Sequence, residues 1–452
     1  MFIVNKQREF FEQGKTLSYE SRKQALIKLK NCIRQNEDEI KAALKKDLGK
    51  SEFESYMSEI GLFYSTVDYN LKHLKKWMKP KKCGTPLTIS PARSKTVASP
   101  YGVVLIISPW NYPFLLTLEP LAAALAAGNT CVVKPSELSP ETTNVITKVV
   151  GDAFPEGLVS FVNGGVEESK ALLEEKFDYI FYTGNTTVGR YVMEKASKHL
   201  TPVTLELGGK SPVVVTKTAC LKLAARRIAF GKLLNAGQTC VAPDYVLVEQ
   251  EVHDEFLKLL KEQITEMYGA QPVSNPVYGK IINRRHFDRI CGLINKDKVV
   301  FGGDTDEGAL KIAPTIMDGV SAEDAVMGEE IFGPLLPVIT VKNLDEAYSF
   351  IQKRPHPLAL YLFTKNKNDE KRFMLGLQFG GGCVNDVMIH VSNHNLPFGG
   401  IGESGLGYYH GDYSFETFSH PKAILKNVTW IDMPVRYQPY SALKDKLIHL
   451  FM

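Results

Sequence analysis

The chain reads as an α/β protein built on doubly wound parallel sheet, and three stretches carry that reading. Val103-Val104-Leu105-Ile106-Ile107 is a continuous apolar run, as expected for a parallel strand covered on both faces. Leu115 to Ala127 is small and apolar enough for a packed helix, and Thr130-Cys131-Val132-Val133 supplies the next strand. Strand, helix, strand in that order makes a right-handed crossover and an open sheet the default.

The elements follow in order. Residues 1–80 read as helical: Phe53, Tyr56, Met57, Ile60, Phe63, Val67, Leu71 and Leu74 recur at steps of three and four. Pro80 stops the pattern, Lys79 to Thr85 reads as a loop, and Thr96-Val97-Ala98 as an edge or excursion strand. Pro120 must sit near the start of its helix or kink it, and Gly128-Asn129 ends it. Val159 to Val162 and Tyr179 to Thr183 are further strands, with Glu167 to Lys176 a helix between them. A second α/β pattern runs from near Thr204 to about residue 400. It holds helices over Leu223 to Leu234, Val252 to Tyr268 and Leu344 to Lys353, and strands over Tyr245 to Val248 and Leu335 to Val341. Gly380-Gly381-Gly382 and Phe398-Gly399-Gly400-Ile401-Gly402 read as glycine-rich turns. In the tail, Leu443, Leu447 and Leu450 fall at helical spacing.

Length and composition bound the function. At 452 residues the chain is expected to form two or three domains. A net charge of +4, spread along the sequence, argues against a nucleic-acid surface. The N-terminus lacks the apolar core of a signal peptide, and no run approaches the ~20 apolar residues that span a bilayer. Seven cysteines without a CxxC spacing fit a reduced, cytoplasmic setting better than disulfides or a zinc site.

Several stretches carry chemistry. Asn235-Ala236-Gly237-Gln238-Thr239-Cys240 places a thiol on a turn between a helix and a strand, where backbone N–H groups can face what it attacks. The plainer alternative is a small buried hydrophobe. Lys134-Pro135-Ser136-Glu137 lies at the carboxyl end of a strand, where open sheets bind ligands; it also reads as the approach to a capped helix. Gly184-Asn185-Thr186-Thr187-Val188-Gly189 follows a strand and opens a helix, suiting a pyrophosphate or simply a turn. Glu206, before Gly208-Gly209-Lys210, could be a half-buried general base or an exposed strand residue. Glu329-Glu330-Ile331-Phe332 could hold a ribose beside an aromatic ring, or be a solvated turn. The Asn111 amide, in Pro109-Trp110-Asn111-Tyr112-Pro113, could donate to an oxyanion or serve only the turn.

Taken in order, these motifs, with Thr183-Gly184 and Pro397-Phe398-Gly399-Gly400, resemble the aldehyde dehydrogenase superfamily over nearly the whole chain. The short region before the first sheet strand, Tyr409-His410-Gly411 and Ser414-Phe415-Glu416-Thr417-Phe418-Ser419-His420 look like its class 3 branch, which takes fatty and aromatic aldehydes. The resemblance implies a Rossmann-type cofactor domain (1–82 and 101–205), an α/β catalytic domain (206–403), and a β oligomerisation arm with C-terminal tail (83–100 and 404–452). It implies a homodimer. It also implies NAD(P)-dependent oxidation of an aldehyde, with Cys240 as nucleophile, Asn111 and the Cys240 N–H holding the oxyanion, and Glu206 activating water. Lys134 and Glu137 would hold the adenosine ribose, Gly184, Asn185 and Gly189 the phosphates, and Glu330 with Phe332 the nicotinamide ribose. Asn185 stands where many relatives carry serine, so a local adjustment of the phosphate contact is expected. Glu137 favours NAD, while Lys134 and the class 3 likeness leave NADP open. Cys32, Cys131 and Cys291 are expected to pack; Cys383 could approach the substrate but is expected rather to pack, and Asn385 and His410 could line the aldehyde tunnel, His410 equally serving C-terminal packing. Transfer of the acyl group to CoA and a non-catalytic relative are the rival readings.

Overall fold

The computed structural model describes residues 2–451. Its first sheet has six strands in the order Gly405–Leu406, Val203–Glu206, Tyr179–Thr183, Val103–Ile107, Thr130–Lys134 and Val159–Phe161. All pairs are parallel except the first. Val103–Ile107 is buried at every position, as its unbroken apolar run requires. Register then fixes the functional edge: Ile107 pairs with Lys134 and Thr183 with Glu206, so these strand ends come out along one rim. The helix Leu115–Ala127 covers this sheet and runs through Pro120. It ends at Gly128 with φ of 91°, a left-handed position that glycine takes without a Cβ penalty.

The second sheet has seven strands, in the order Val299–Phe301, Thr315–Met317, Leu335–Val341, Tyr245–Glu249, Pro212–Val215, Ala359–Phe363 and Gly381–Val384. Only the first pair is antiparallel. The helix Leu221–Leu233 packs on His253–Tyr268 and delivers the chain to Cys240. One apolar cluster joins the two sheets, with Val104 and Ile106 from the first and Val213, Val246 and Tyr361 from the second.

Three expectations need correction. Within the expected loop over Lys79 to Thr85, Lys81–Cys83 is a strand, and Arg93–Pro100 lies between it and Ser419–Lys426 as the centre of a three-stranded antiparallel sheet rather than an edge. Gly381 and Gly382 belong to a strand, not a turn; a Cβ on Gly382 would stand 2.1 Å from the Leu360 carbonyl oxygen. Phe53 and Tyr56 leave the apolar stripe and are exposed, because Tyr56–Ile60 forms a π turn whose extra residue rotates the helix face. Gly405–Leu406 adds an antiparallel edge to the first sheet beside Val203–Glu206. The tail ends in the helix Ala442–Phe451. No helix among the described residues is long and apolar enough to cross a membrane.

Candidate active site

The turn before Cys240 is held in a conformation that side chains resist. Asn235, Ala236 and Gly237 have φ of 53°, 51° and 78°, three left-handed residues in a row. Each non-glycine residue of this hand costs roughly 1–2 kcal/mol, so such a turn persists only where its surroundings dictate it. Here they do. Asn235 N–H donates to Glu54 Oε1 at 2.7 Å, and its side-chain amide donates to the carbonyls of Asn111 (2.7 Å) and Gln238 (3.1 Å). Gln238 Nε2 donates to the carbonyls of Asn235 and Lys280, and its Oε1 accepts from Ile282 N–H, each at 3.0 Å. A Cβ on Gly237 would stand 2.2 Å from the Gly333 carbonyl oxygen, so two loops meet at that glycine.

Asn111 is buried beside this turn. Its Nδ2 donates to the Gln238 carbonyl at 3.0 Å, and the Tyr112 hydroxyl lies 2.7 Å from Thr239 Oγ1. An amide NH₂ has two donors, so one anchors Asn111 and the other stays available.

Two carboxylates act on the thiol. Glu206 ends its strand buried, with neither carboxylate oxygen partnered, and burial holds its pKa well above the usual range. Glu330 is pushed up to about 8, first by burial and then by the Asp244 charge; its Oε1 is enclosed and unpartnered. Its Oε2 lies 2.0 Å from where a Cβ on Gly208 would stand, so Gly208 is what lets the carboxylate in. Burial, with the charges of Glu330 and Glu206 behind it, pushes the Cys240 thiol up to about 12. Burial and the two neighbouring carboxylates thus all oppose ionisation of the thiol.

The remaining candidates line the rim. Lys134, buried at its strand end, donates to Glu137 Oε2 at 2.8 Å, and the Glu137 side chain is exposed. Gly184 N–H donates to the Glu206 carbonyl at 3.0 Å. Asn185 caps the helix Thr186–Ser197, its side-chain oxygen accepting from Val188 N–H at 2.9 Å. Gly189 faces inward: a Cβ there would meet Leu207 at 2.6 Å, so this glycine serves helix-on-strand packing. Phe332, with φ of 49°, sets its ring edge-on to Trp110 at 5.3 Å.

A model of the aldehyde dehydrogenase family matches residues 2–424. The chain belongs to that family. Aldehyde dehydrogenase family 3 member H1 of Arabidopsis thaliana is 47% identical over 451 residues, covering 99% of this chain and 93% of that protein. The solved substrate-bound state of Staphylococcus aureus AldH superposes with a TM-score of 0.98 at 45% identity, over 99% of this chain and 98% of its own. A solved indole-3-acetaldehyde dehydrogenase complexed with NAD+ superposes with a TM-score of 0.86 at 28% identity, over 94% of this chain and 88% of its own. The enzyme is thus an oxidoreductase that oxidises aldehydes.

The residues fit a nicotinamide dinucleotide, the cofactor type this family uses. The enclosed, unpartnered Glu330 Oε1 suits a ribose hydroxyl, and Lys134 with Glu137 presents a donor and an acceptor at a parallel sheet's carboxyl rim. Sequence reading missed the supports behind these groups. Lys210 pairs with Asp244 and donates to the carbonyls of Val326 (2.9 Å) and Glu329 (2.8 Å); Asp244 accepts from Ile331 N–H at 3.0 Å. That staple ties the Gly208-Gly209 loop to the Glu330 loop. Lys232 is buried nearby and is pushed down to about 8, mainly by burial. Lys210 closes the Glu206 motif without a role of its own in the sequence reading, and Lys232 sits in no recognisable spacing. Asn385 and His410 are held by the fold: Asn385 exchanges two hydrogen bonds with the backbone of Thr364, and His410 stacks on Phe398 at 5.1 Å.

Proposed function

We propose that the enzyme oxidises a medium- or long-chain aliphatic or an aromatic aldehyde to the carboxylic acid, with NAD and also NADP as acceptor. The convergence of Cys240, the spare Asn111 donor and the unpartnered Glu206 carboxylate carries this reading. With its proton given up to water, Cys240 adds as the thiolate to the carbonyl carbon, and the oxygen becomes an oxyanion held by Asn111 Nδ2–H and the Cys240 backbone N–H. A bound nicotinamide would supply the hydride acceptor. With the carbonyl carbon oxidised, the acyl group remains on Cys240 as a thioester. Glu206, once ionised, takes a proton from water as that water attacks the thioester; the acid leaves and the Cys240 thiolate is restored. Lys134 and Glu137 hold the adenosine ribose, the Gly184-Asn185 turn the pyrophosphate, and Glu330 with Phe332 the nicotinamide ribose. Glu137 as an acceptor for the 2′-hydroxyl favours NAD, in keeping with the NAD+ complex among the structural neighbours. The homodimer and a cytoplasmic setting belong to the same reading, supported by the open three-stranded sheet and by seven free cysteines.

The test is formation of NADH and NADPH, followed by absorbance, with acetaldehyde, hexanal, decanal and benzaldehyde, for the parent and Cys240→Ala, with and without CoA. Turnover without CoA that vanishes in the variant, and rises along the chain-length series, is the expected outcome. Turnover only with CoA would replace hydrolysis by acyl transfer. Equal rates in the two proteins would remove Cys240 as the nucleophile.

A further inference from the structure

The N-terminal helical region reaches the active-site turns from behind, through residues the scheme above leaves unused. Lys50 and Glu59 are fully buried and form an ion pair with Nζ 2.5 Å from Oε1. The same ammonium donates to the Asn111 carbonyl at 3.2 Å and stands 3.9 Å from the centre of the Tyr112 ring. The second oxygen of Glu59 accepts from the N–H groups of Phe114 (2.9 Å) and Leu115 (3.1 Å), pinning the start of the helix that follows Asn111. Glu54 accepts from Asn235 N–H at the head of the left-handed turn, and Asn235 Nδ2 closes the ring by donating to the Asn111 carbonyl.

Helix geometry explains how Glu54 and Glu59 serve one centre. At 3.6 residues per turn, positions five apart lie about 140° apart around an α-helix. Glu59 lies within the π turn Tyr56–Ile60, whose Gly61 N–H donates to the Tyr56 carbonyl five residues back, and that wider turn narrows the angle between Glu54 and Glu59. A buried ion pair is a poor stabiliser, because desolvation offsets most of its attraction. What Lys50 and Glu59 gain by burial is hold on the Asn111 loop and the helix start that follows it.

We propose that Lys50, Glu54 and Glu59 are positioning residues that set the separation of the Asn111 amide from the Cys240 backbone N–H. The inference rests on the assignment of those two donors to the oxyanion. Lys50 and Glu59 fix the Asn111 loop; Glu54 fixes the turn that leads to Cys240. When either arm is lost the donors part, and the loss falls on the step in which the oxyanion forms.

The test uses the full-length enzyme and the variants Glu54→Ala, Glu54→Gln, Asn111→Ala and the double variant Glu54→Ala/Asn111→Ala. It reads kcat and KM with hexanal, NAD affinity by fluorescence, and the rate at which iodoacetamide alkylates Cys240, a reaction that forms no oxyanion. Glu54→Ala is expected to lower kcat by about tenfold to a hundredfold while NAD affinity and alkylation hold. Glu54→Gln keeps an oxygen for Asn235 N–H and is expected to recover most of that loss. The double variant should lose no more than Asn111→Ala alone, since both act on one interaction. Glu59→Gln, which keeps the side chain's shape, provides the second arm should Glu54→Ala fold poorly, and the same pattern is expected of it. A parent-like kcat in Glu54→Ala beside an impaired Asn111→Ala would overturn the inference, as would alkylation falling in step with kcat. Full activity in Asn111→Ala would instead bring down the oxyanion assignment, and the inference with it.

Discussion

Glu330 is a carboxylic acid whose environment has moved its titration into the working range of the enzyme, and that shift has a sign that can be measured. Burial, then the Asp244 charge, pushes it up to about 8, whereas an unfolded chain titrates glutamate near about 4.3. Between those values the folded protein binds more protons than the unfolded one, so this group's contribution to stability falls as pH rises and levels off above about 8. Glu330→Gln removes the titration and keeps the shape that Gly208 admits. Its melting temperature relative to the parent should therefore climb from about pH 5 to about pH 8 and then stay level, whatever constant offset the amide brings. A gap independent of pH, in thermal melts across that range, would refute the shift. Glu206 carries the same sign in both proteins and cancels from the comparison.

At the scale of elements, the left-handed turn is where geometry leaves least freedom. Gly237 has φ of 78°, and a Cβ would stand 2.2 Å from the Gly333 carbonyl, a backbone atom that cannot swing aside as a side-chain tip can. Gly237→Ala must part the Cys240 turn from the loop carrying Glu330 and Phe332. The expected outcome is a loss of about 1–3 kcal/mol in stability, together with weaker NAD binding. Denaturant melts and cofactor titration check both, and unchanged values would show the two loops to be independent. The turn's existence was legible in the sequence, because Asn-Ala-Gly after an amphipathic helix signals a break. The handedness of Asn235 and Ala236 was not, since it depends on Glu54 and Asn111, more than a hundred residues away. Elements divide the same way. Val103–Ile107, Tyr179–Thr183 and Leu335–Val341 were readable to the residue from their mainly apolar, strand-length stretches. Lys81–Cys83 and Gly381–Val384 were hidden, one by its lysines and the other by its glycines, because their pairing partners alone make them strands. Motif order exposed the catalytic candidates, while Lys50, Glu54 and Glu59 stand in no motif and take their places only through partners in the Asn111 and Asn235 loops.

For the whole molecule, the three-stranded sheet is the feature a single chain leaves incomplete. In Ser419–Lys426 only Ser419 is buried, and the adjacent Ile424 and Leu425, on opposite faces of the strand, are both exposed. A small sheet needs an apolar face covered to be stable, and along residues 422–426 this one has exposed residues on both faces and an unpaired outer edge. Beyond it Trp430, Ile431, Tyr437 and Tyr440 are exposed as well, extending the apolar surface along the tail. A second copy of the chain, meeting the first along this arm, would cover the faces and satisfy the edge by symmetry. Analytical ultracentrifugation of the parent should accordingly give a species of about twice the 50.4 kDa chain mass. Leu425→Asp places a charge on the open face without touching either active-site sheet, and it should shift the enzyme to monomer while the Cys240 thiol keeps its alkylation rate. A monomeric parent at micromolar concentration would defeat the argument. So would a Leu425→Asp dimer of undiminished affinity, for then the arm's exposed apolar face is covered by something other than its own copy.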